Sequence, residues 1–347
     1  MQQARTPMPR ALLSAGLTLA AAALAYGGWL WFSQGLQAER HARVERLHCD
    51  LPAPDAHAPH PAMRWVPAGS FDFGDTLYPE EQPVQKTTVA GFWIDRTEVS
   101  NEAFAAFVAA TGYVTQAERA VDAARHPGLP LAMRMPGAVV FVMPNAVQGQ
   151  GDLTQWWRYT AGANWRHPGG PATGIDGRGA FPVVAVSYED AQAYARWKGH
   201  ALPSEAQWEW AARAAQARTQ DPAQPPQANT WQGLFPVANS AEDGFVGIAP
   251  VGCYPPNALG LFDMIGNVWE ITADAYAPGH PPAGAAPPDA VAPLRAGAVA
   301  QRVIKGGSFL CAPNYCMRYR AGARQPQDED LGASHLGFRT VLLAPGP

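Results

Sequence analysis

An uncharged run of 22 residues, from Ala11 to Phe32, constrains this chain most. About 20 apolar residues in a helix cross the hydrocarbon core of a bilayer. Arg5 and Arg10 precede the run and a large polar body follows it, which favours a cytoplasmic N-terminus and an exported body. A cleaved signal peptide is the alternative, because residues 23–25 (Ala-Leu-Ala) resemble a cleavage site.

The apolar run continues past that candidate cleavage site into aromatic residues, which are typical of a membrane interface. We therefore predict a cytoplasmic segment over residues 1–10 and a transmembrane anchor (or uncleaved signal) over residues 11–32. A linker rich in Pro, Ala and His fits residues 33–62. A single folded domain is expected over residues 63–345, on the periplasmic or extracellular side of the membrane.

The composition of the body predicts a loop-rich fold. Gly and Pro number 34 each, a content that favours short elements joined by many turns. Hydrophobic residues make up 47% of the chain, which is enough for a sizeable core. The net charge of −4 offers no basic surface for nucleic acid. We expect an α+β fold with little regular secondary structure.

Three helices are predicted from their capping residues. Ser100 is a candidate N-cap and Gly112 a candidate left-handed C-cap for the first. Ser187 begins the second, with Asp190 at the third helical position and with Tyr194 and Trp197 facing inward.

The third helix is predicted to begin at Ser204, which forms a capping-box pattern with Gln207. Strands are predicted around residues 65–71, 91–95 and 137–143, and only short strands and loops after residue 216. Residues 277–300, rich in Ala, Pro and Gly, are expected to form a surface insertion.

The chain has four cysteines, of which two are close in sequence: Cys311 and Cys316. Pro313 lies between them and favours a bend that brings the two sulfurs together. Spacing alone leaves three interpretations open. They are a structural disulfide, a redox-active dithiol, and a site for a soft metal such as Cu(I).

Two loops are rich in oxygen ligands. One pairs Asn229 and Thr230 with residues 242–245, and the other spans residues 263–270 and contains two carboxylates. Ca²⁺ takes six to eight oxygens from side chains and backbone carbonyls. Ordinary turn chemistry explains the same composition, so this pattern alone does not establish a metal site.

Nine segments of the chain resemble the formylglycine-generating enzyme family, also called the sulfatase-modifying factors. The segments are residues 65–71 (WVPAGSF), 162–168 (GANWRHP), 202–209 (LPSEAQWE), 229–233 (NTWQG), 242–245 (EDGF), 266–270 (GNVWE), 305–311 (KGGSFLC), 315–320 (YCMRYR) and 336–339 (LGFR). The resemblance covers nearly the whole exported part. The Gly-Gly-Ser-x-x-Cys-x4-Cys segment discriminates best, because many relatives lack its cysteines.

The resemblance implies a fold that is similar to C-type lectins and an oxidase activity. Such enzymes convert a cysteine in the Cys-x-Pro-x-Arg motif of an unfolded sulfatase to Cα-formylglycine. They use O₂, a thiol reductant and Cu(I), and the copper ligands match Cys311 and Cys316. Ser308, Trp269 and Tyr315 resemble family residues near the catalytic pocket.

The resemblance also implies two structural calcium sites. The first would take Asn229, Thr230, Asp243 and Phe245, with Thr230 and Phe245 using their carbonyl oxygens. The second would take Asp263, Gly266, Val268 and Glu270, with Gly266 and Val268 using their carbonyl oxygens.

The remaining cysteines depart from the family. Two extra disulfides of some relatives would need sulfur at Ala195, Ala212, Gly322 and Thr340, so neither is possible here. Cys49 and Cys253 have no family counterpart. They could pair, stay as thiols or bridge two chains.

Two other functions remain possible at this point. One is a divergent family member with another oxidase activity. The other is a non-catalytic, lectin-like binding protein, which would not need paired thiols.

Overall fold

The structure is a computed structural model that describes residues 47–53, 58–122, 126–213, 227–281 and 299–343. These residues belong to one compact unit that begins at Leu47. The anchor predicted over residues 11–32 and most of the insertion predicted over residues 277–300 lie outside the described residues. Within the described ranges, no helix is long and apolar enough to cross a bilayer.

The described residues contain three α-helices, each at a predicted position: α1 (Asn101–Thr111), α2 (Tyr188–Trp197) and α3 (Glu205–Arg213). The Ser100 side chain accepts the Ala103 N–H and Gly112 takes φ 67°, which confirms both predicted caps of α1.

The caps of the other two helices are also confirmed. Ser187 and Asp190 form the expected reciprocal capping box of α2, and Ser204 and Gln207 exchange the same pair of hydrogen bonds before α3. The prediction that Trp197 faces inward is wrong, because its side chain is 41% exposed. Its ring lies at the end of α2 and contacts the Phe107 and Tyr194 rings, with centroids 5.6 and 5.9 Å away.

Eleven strands are described. They are β1 (Met63–Val66), β2 (Gly69–Phe73), β3 (Gln85–Val89), β4 (Phe92–Asp95), β5 (Gly137–Phe141), β6 (Trp157–Ala161), β7 (Trp269–Ala275), β8 (Gln301–Lys305), β9 (Arg324–Asp328), β10 (Leu336–Gly337) and β11 (Val341–Leu342). They form two sheets, β1-β4-β11 and β10-β7-β8-β9, and two hairpins, β2-β3 and β5-β6. The strand and turn predicted over residues 65–71 match the end of β1 at Val66 and the break at Pro67, whose nitrogen cannot donate a hydrogen bond, and β2 then begins at Gly69.

The core contains a buried ionic network beside an apolar cluster. Glu205 of α3 accepts hydrogen bonds from Lys305 of β8 (3.3 Å) and Arg324 of β9 (2.9 Å). Lys305 also contacts Glu209 at 2.9 Å. All four side chains are buried, so the pairing of opposite charges offsets their cost of desolvation. The network joins α3 to the sheet that leads into the cysteine segment.

The structure settles the pairing of the two isolated cysteines. Cys49 and Cys253 form a disulfide across 204 residues of sequence. The N-terminal segment around Leu51 is therefore joined to the loop at Gly252, and the Leu51 side chain covers the Cα of that glycine.

Candidate active site

The candidate active site is a tight turn that carries two thiols. The Sγ atoms of Cys311 and Cys316 lie 3.2 Å apart and are not bonded to each other. Two hydrogen bonds to the Ala312 carbonyl close the turn, one from the Tyr315 N–H (3.1 Å) and one from the Cys316 N–H (2.9 Å). The bend that Pro313 favoured in the sequence is thus present, and it turns both sulfurs toward each other.

The segment that enters this turn needs glycine. Gly306 and Gly307 have φ of 94° and 77°, in the left-handed region that favours glycine. A Cβ on Gly307 would meet the Arg318 carbonyl oxygen at 2.8 Å. The two chain segments on either side of the thiols, at Gly307 and at Arg318, therefore approach more closely than a side chain on residue 307 would allow.

The two thiols share one proton. Cys311 and Cys316 are only 2% and 7% exposed. The hydrogen bond from the Cys311 thiol lowers the pKa of Cys316 to about 6, with help from Arg318 and against the effect of burial. Burial and the neighbouring Cys316 raise the pKa of Cys311. The hydrogen bond between the sulfurs therefore favours ionisation of Cys316 with the proton kept on Cys311, which gives a soft donor set.

Aromatic side chains line one side of the turn that carries the two cysteines. The Tyr315 ring stacks on Phe235 with centroids 4.2 Å apart and meets the edge of Trp156 at 5.9 Å. Burial raises the pKa of Tyr315, and the two cysteines raise it further. The hydroxyl therefore stays protonated and available as a donor beside the thiols.

The other two predicted site residues have different surroundings. Ser308 is buried, and its Oγ accepts the Leu310 N–H at 3.3 Å while its carbonyl accepts the Cys311 N–H. It therefore shapes the segment that leads to the thiols. Trp269 lies in the same buried cluster as both cysteines. Its backbone N–H donates to the His335 carbonyl at 2.8 Å.

The residues predicted for the first calcium site are brought together. Asp243 accepts the Thr230 N–H and the Phe245 N–H, each at 3.0 Å. The Oδ1 of Asn229 is buried and has no hydrogen-bond partner. A buried acceptor without a donor beside a carboxylate fits a hard cation.

The second predicted calcium set fits only in part. Both carboxylate oxygens of Glu270 are bound, by Arg339 (2.6 Å to each) and by the Trp208 indole N–H (2.7 Å). Asp263 takes φ 53° and accepts the Gly252 N–H. The other carboxylate beside Asp263 is Glu98, which sequence reasoning missed.

Glu98 offers the open oxygen that Glu270 lacks. Its Oε1 accepts the Asn267 amide at 3.0 Å, and its Oε2 is buried without a partner. Burial and then the charge of Asp263 raise the pKa of Glu98. Glu98 lies 165 positions before Asp263 in the sequence, so no local pattern joined the two.

Both oxygen-rich loops hold the cysteine segment directly. The Gly266 N–H donates to the Gly306 carbonyl (2.9 Å), and the Phe309 N–H donates to the Asn267 carbonyl (2.9 Å). The Trp231 N–H, next to the first set, donates to the Cys311 carbonyl (3.0 Å). Among the described residues no three His, Cys, Asp or Glu side chains converge as a metal centre. The candidate copper site consists of two thiols. The candidate calcium sites consist of carboxylate, amide and carbonyl oxygens.

Comparison with known proteins identifies the family. The model of the sulfatase-modifying factor enzyme 1-like domain matches residues 49–344. The chain belongs to this family. A formylglycine-generating enzyme of Mycobacterium tuberculosis (strain ATCC 25618 / H37Rv) is 46% identical over 80% of this chain and 96% of that protein. One of Streptomyces coelicolor (strain ATCC BAA-471 / A3(2) / M145) is 41% identical over 83% and 94%.

Two further relatives qualify this membership. A mouse protein named inactive C-alpha-formylglycine-generating enzyme 2 is 36% identical over 84% of this chain and 89% of that protein. PvdO from Pseudomonas aeruginosa, a solved structure, has 25% identity and a TM-score of 0.52 over 80% of this chain and 93% of its own. The comparisons confirm the resemblance, the enzyme class and a single loop-rich domain. A relative of similar sequence identity is nevertheless named inactive.

Proposed function

We propose that this chain oxidises a cysteine of a sulfatase polypeptide to Cα-formylglycine, with O₂ as the oxidant and Cu(I) held by Cys311 and Cys316. One observation carries the proposal. The two sulfurs stand 3.2 Å apart as unbonded thiols, although the other two cysteines of the chain are joined. A purely structural role for the pair would be served by a disulfide.

The donor set suits the metal. Two thiol sulfurs on one turn, one of them ionised near neutral pH, match the preference of Cu(I) for few, soft ligands. Binding would release the remaining proton from Cys311. When bound, the copper supplies a centre at which O₂ and the substrate sulfur are brought together for oxidation.

The overall reaction balances with a thiol reductant. One substrate thiol, one O₂ and two reductant thiols give the aldehyde, hydrogen sulfide, water and one disulfide. The substrate carbon loses its sulfur and a hydrogen and gains one oxygen. Four electrons reduce O₂, two from the substrate carbon and two from the reductant.

The protein residues contribute position and exclusion of water. Three aromatic rings lie beside the sulfurs and would exclude water from them, namely those of Tyr315, Phe235 and Trp156. Ser308 holds the backbone that leads to Cys311. Trp269 packs in the same buried cluster as the two cysteines.

Calcium would act through the loops that bind the cysteine segment. The first set offers Asn229, Thr230, Asp243 and Phe245. The second offers the predicted donors at residues 263, 266 and 268, with Glu98 in the place that was predicted for Glu270. Because both loops donate to or accept from residues 306–311, an ion at either site would stabilise the position of the thiols.

The proposed client is an unfolded sulfatase chain with a Cys-x-Pro-x-Arg motif, and the proposed location is the exported side of a membrane. The Cys49–Cys253 disulfide supports export, because such bonds persist in oxidising compartments. The uncharged run over residues 11–32 supports an anchor.

The test uses a synthetic peptide with Cys-x-Pro-x-Arg, the purified chain, Cu(I), O₂ and a thiol reductant. Mass spectrometry should show the loss expected for conversion of a thiol to an aldehyde. A peptide with Ser in place of Cys is the substrate control. Cys316→Ser should lose both tight Cu(I) binding and turnover, whereas the double variant Cys49→Ser/Cys253→Ser should keep both. Turnover that persists in Cys316→Ser would reject the proposal.

A further inference from the structure

A buried arginine stands without a counter-charge, far along the chain from the thiols. Arg96 is 6% exposed. Its Nε is buried with no hydrogen-bond partner, and its guanidinium makes no ion pair within the part of the chain that the structure describes. Its one marked contact is the ring of Phe262, 5.5 Å from the guanidinium carbon. Buried guanidinium groups are ordinarily paired.

A second arginine lies on the same face of the sheet. Strands β1 and β4 are antiparallel with Arg64 opposite Ile94. The Arg96 N–H continues this ladder to the Ala62 carbonyl at 3.1 Å. Because residues two apart share a face, Arg64 and Arg96 are diagonal neighbours, within reach of each other for side chains of this length.

Where the structure describes the chain, no carboxylate forms an ion pair with Arg64 or Arg96, so their two positive charges repel each other. The charge of Arg64 is close enough to act on the Arg96 guanidinium. The guanidinium of Arg64 donates only to the Met63 carbonyl (2.9 Å) among the described residues. Of the carboxylates nearest in sequence, Asp95 accepts hydrogen bonds from Thr340, and Glu98 accepts one from Asn267 through Oε1 and lies beside Asp263.

One turn of the chain lies against both arginines. A Cβ on Gly260 would meet the Arg64 Nε at 3.1 Å, so that side chain lies across the turn. The Phe262 N–H donates to the Arg96 carbonyl at 2.8 Å, and the Asn257 N–H and Leu261 carbonyl close the turn at 2.8 Å. The turn over residues 257–262 therefore contacts the Arg64 side chain through Gly260 and the Arg96 side chain through the Phe262 ring.

We propose that Arg64 and Arg96 bind a small tetrahedral oxyanion, of the sulfate or phosphate class. A guanidinium presents a rigid fork of N–H donors that matches such an anion, and two forks can share its oxygens. The bound anion would supply the negative charge that none of the described residues places in an ion pair with these two arginines. The site uses none of the thiols and none of the donors assigned to copper or calcium, so it stands apart from the proposed oxidation.

The test compares sodium sulfate with sodium chloride at matched ionic strength, on the full chain. Sulfate should raise the unfolding temperature of the wild type along a saturable curve, and isothermal titration should give one site per chain. Sulfate also stabilises proteins by exclusion from their surface, but that effect does not saturate and is the same in every variant.

The variants separate a binding site from a structural role. Arg96→Met should abolish the saturable part, and Arg96→Lys should keep it with at least tenfold weaker binding. Lys86→Met, which removes a charge from an exposed ion pair with Asp72, should behave as the wild type. In chloride alone, Arg96→Met should unfold at the same or a higher temperature than the wild type, because it removes the repulsion from Arg64. An unchanged sulfate curve in Arg96→Met, or no saturable component in the wild type, would overturn the proposal.

Discussion

Breaking the Cys49–Cys253 disulfide should lower the stability of the domain by a large and calculable amount. The bond closes a loop of 204 residues. In the chain-entropy relation a loop of that length restricts the unfolded state by about 5 kcal/mol at 25 °C. An unfolding entropy of about 2.1 cal/mol/K per residue over roughly 300 residues gives about 0.6 kcal/mol per degree. The expected fall in unfolding temperature is therefore about 8 °C.

The assay is thermal unfolding in non-reducing buffer, followed by circular dichroism, for Cys49→Ser, Cys253→Ser and the double variant. Each of the three breaks the same covalent bond, so the entropic argument predicts the same fall for all of them. The wild type measured with a thiol reductant should approach that value. The contact of Leu51 with Gly252 survives in every variant and cancels in the comparison.

A fall of less than about 2 °C would refute the reasoning, because the loop would then be restricted by something other than the bond. Single variants that differ by more than a few degrees would refute it as well. They would show that the lost contacts of one cysteine, rather than the closure of the loop, determine the change in stability.

Three further perturbations test the buried charges. Glu98→Gln should reduce the rise in unfolding temperature that calcium produces over a chelator, and an unchanged calcium effect would remove Glu98 from the second site. Burial raises the pKa of Asp95 to about 6. The folded state then holds the proton of Asp95 more tightly than the unfolded state does. The contribution of protonated Asp95 to the free energy of unfolding is therefore present below about pH 4 and is lost as pH rises through about 6. Titration of unfolding against pH should show a loss of roughly 3 kcal/mol, which Asp95→Asn removes. If the profiles coincide, Asp95 is not responsible. Glu205→Gln should cost about 3–5 kcal/mol in denaturant unfolding, since it leaves Lys305 and Arg324 buried with less counter-charge. A cost under 1 kcal/mol would contradict the network.

The helices could be predicted because their signals are local. Ser100 and Gly112 mark the ends of α1, and Ser187 with Asp190 marks the start of α2, through hydrogen bonds within three or four residues. A cap needs no knowledge of the rest of the fold. Trp197 shows the limit of this reasoning, since the same periodicity that buries Tyr194 does not say where the core ends.

The features that sequence could not supply depend on distant contacts. Glu98 meets Asp263 only because β4 lies beside the loop that follows residue 250, and the occupation of Glu270 by Arg339 depends on the pairing of β10 with β7. The pairing of Cys49 with Cys253 is a third such case. Each joins residues more than 60 positions apart, and no pattern within one segment records the partner.

The two cysteine pairs are in opposite redox states, one a disulfide and the other two thiols. Cys49 and Cys253 are bonded and part-exposed, whereas Cys311 and Cys316 are buried thiols. Thiol–disulfide exchange requires a thiolate to reach a sulfur, so a small reductant in solution meets the outer bond more readily than the inner pair. A thiol reductant that serves the proposed oxidation would therefore also reach the bond that holds the N-terminal segment to the loop beside Asp263. If the proposal holds, the useful thiol concentration should accordingly have an upper limit set by the stability of the Cys49–Cys253 bond, and not by the chemistry at the inner pair.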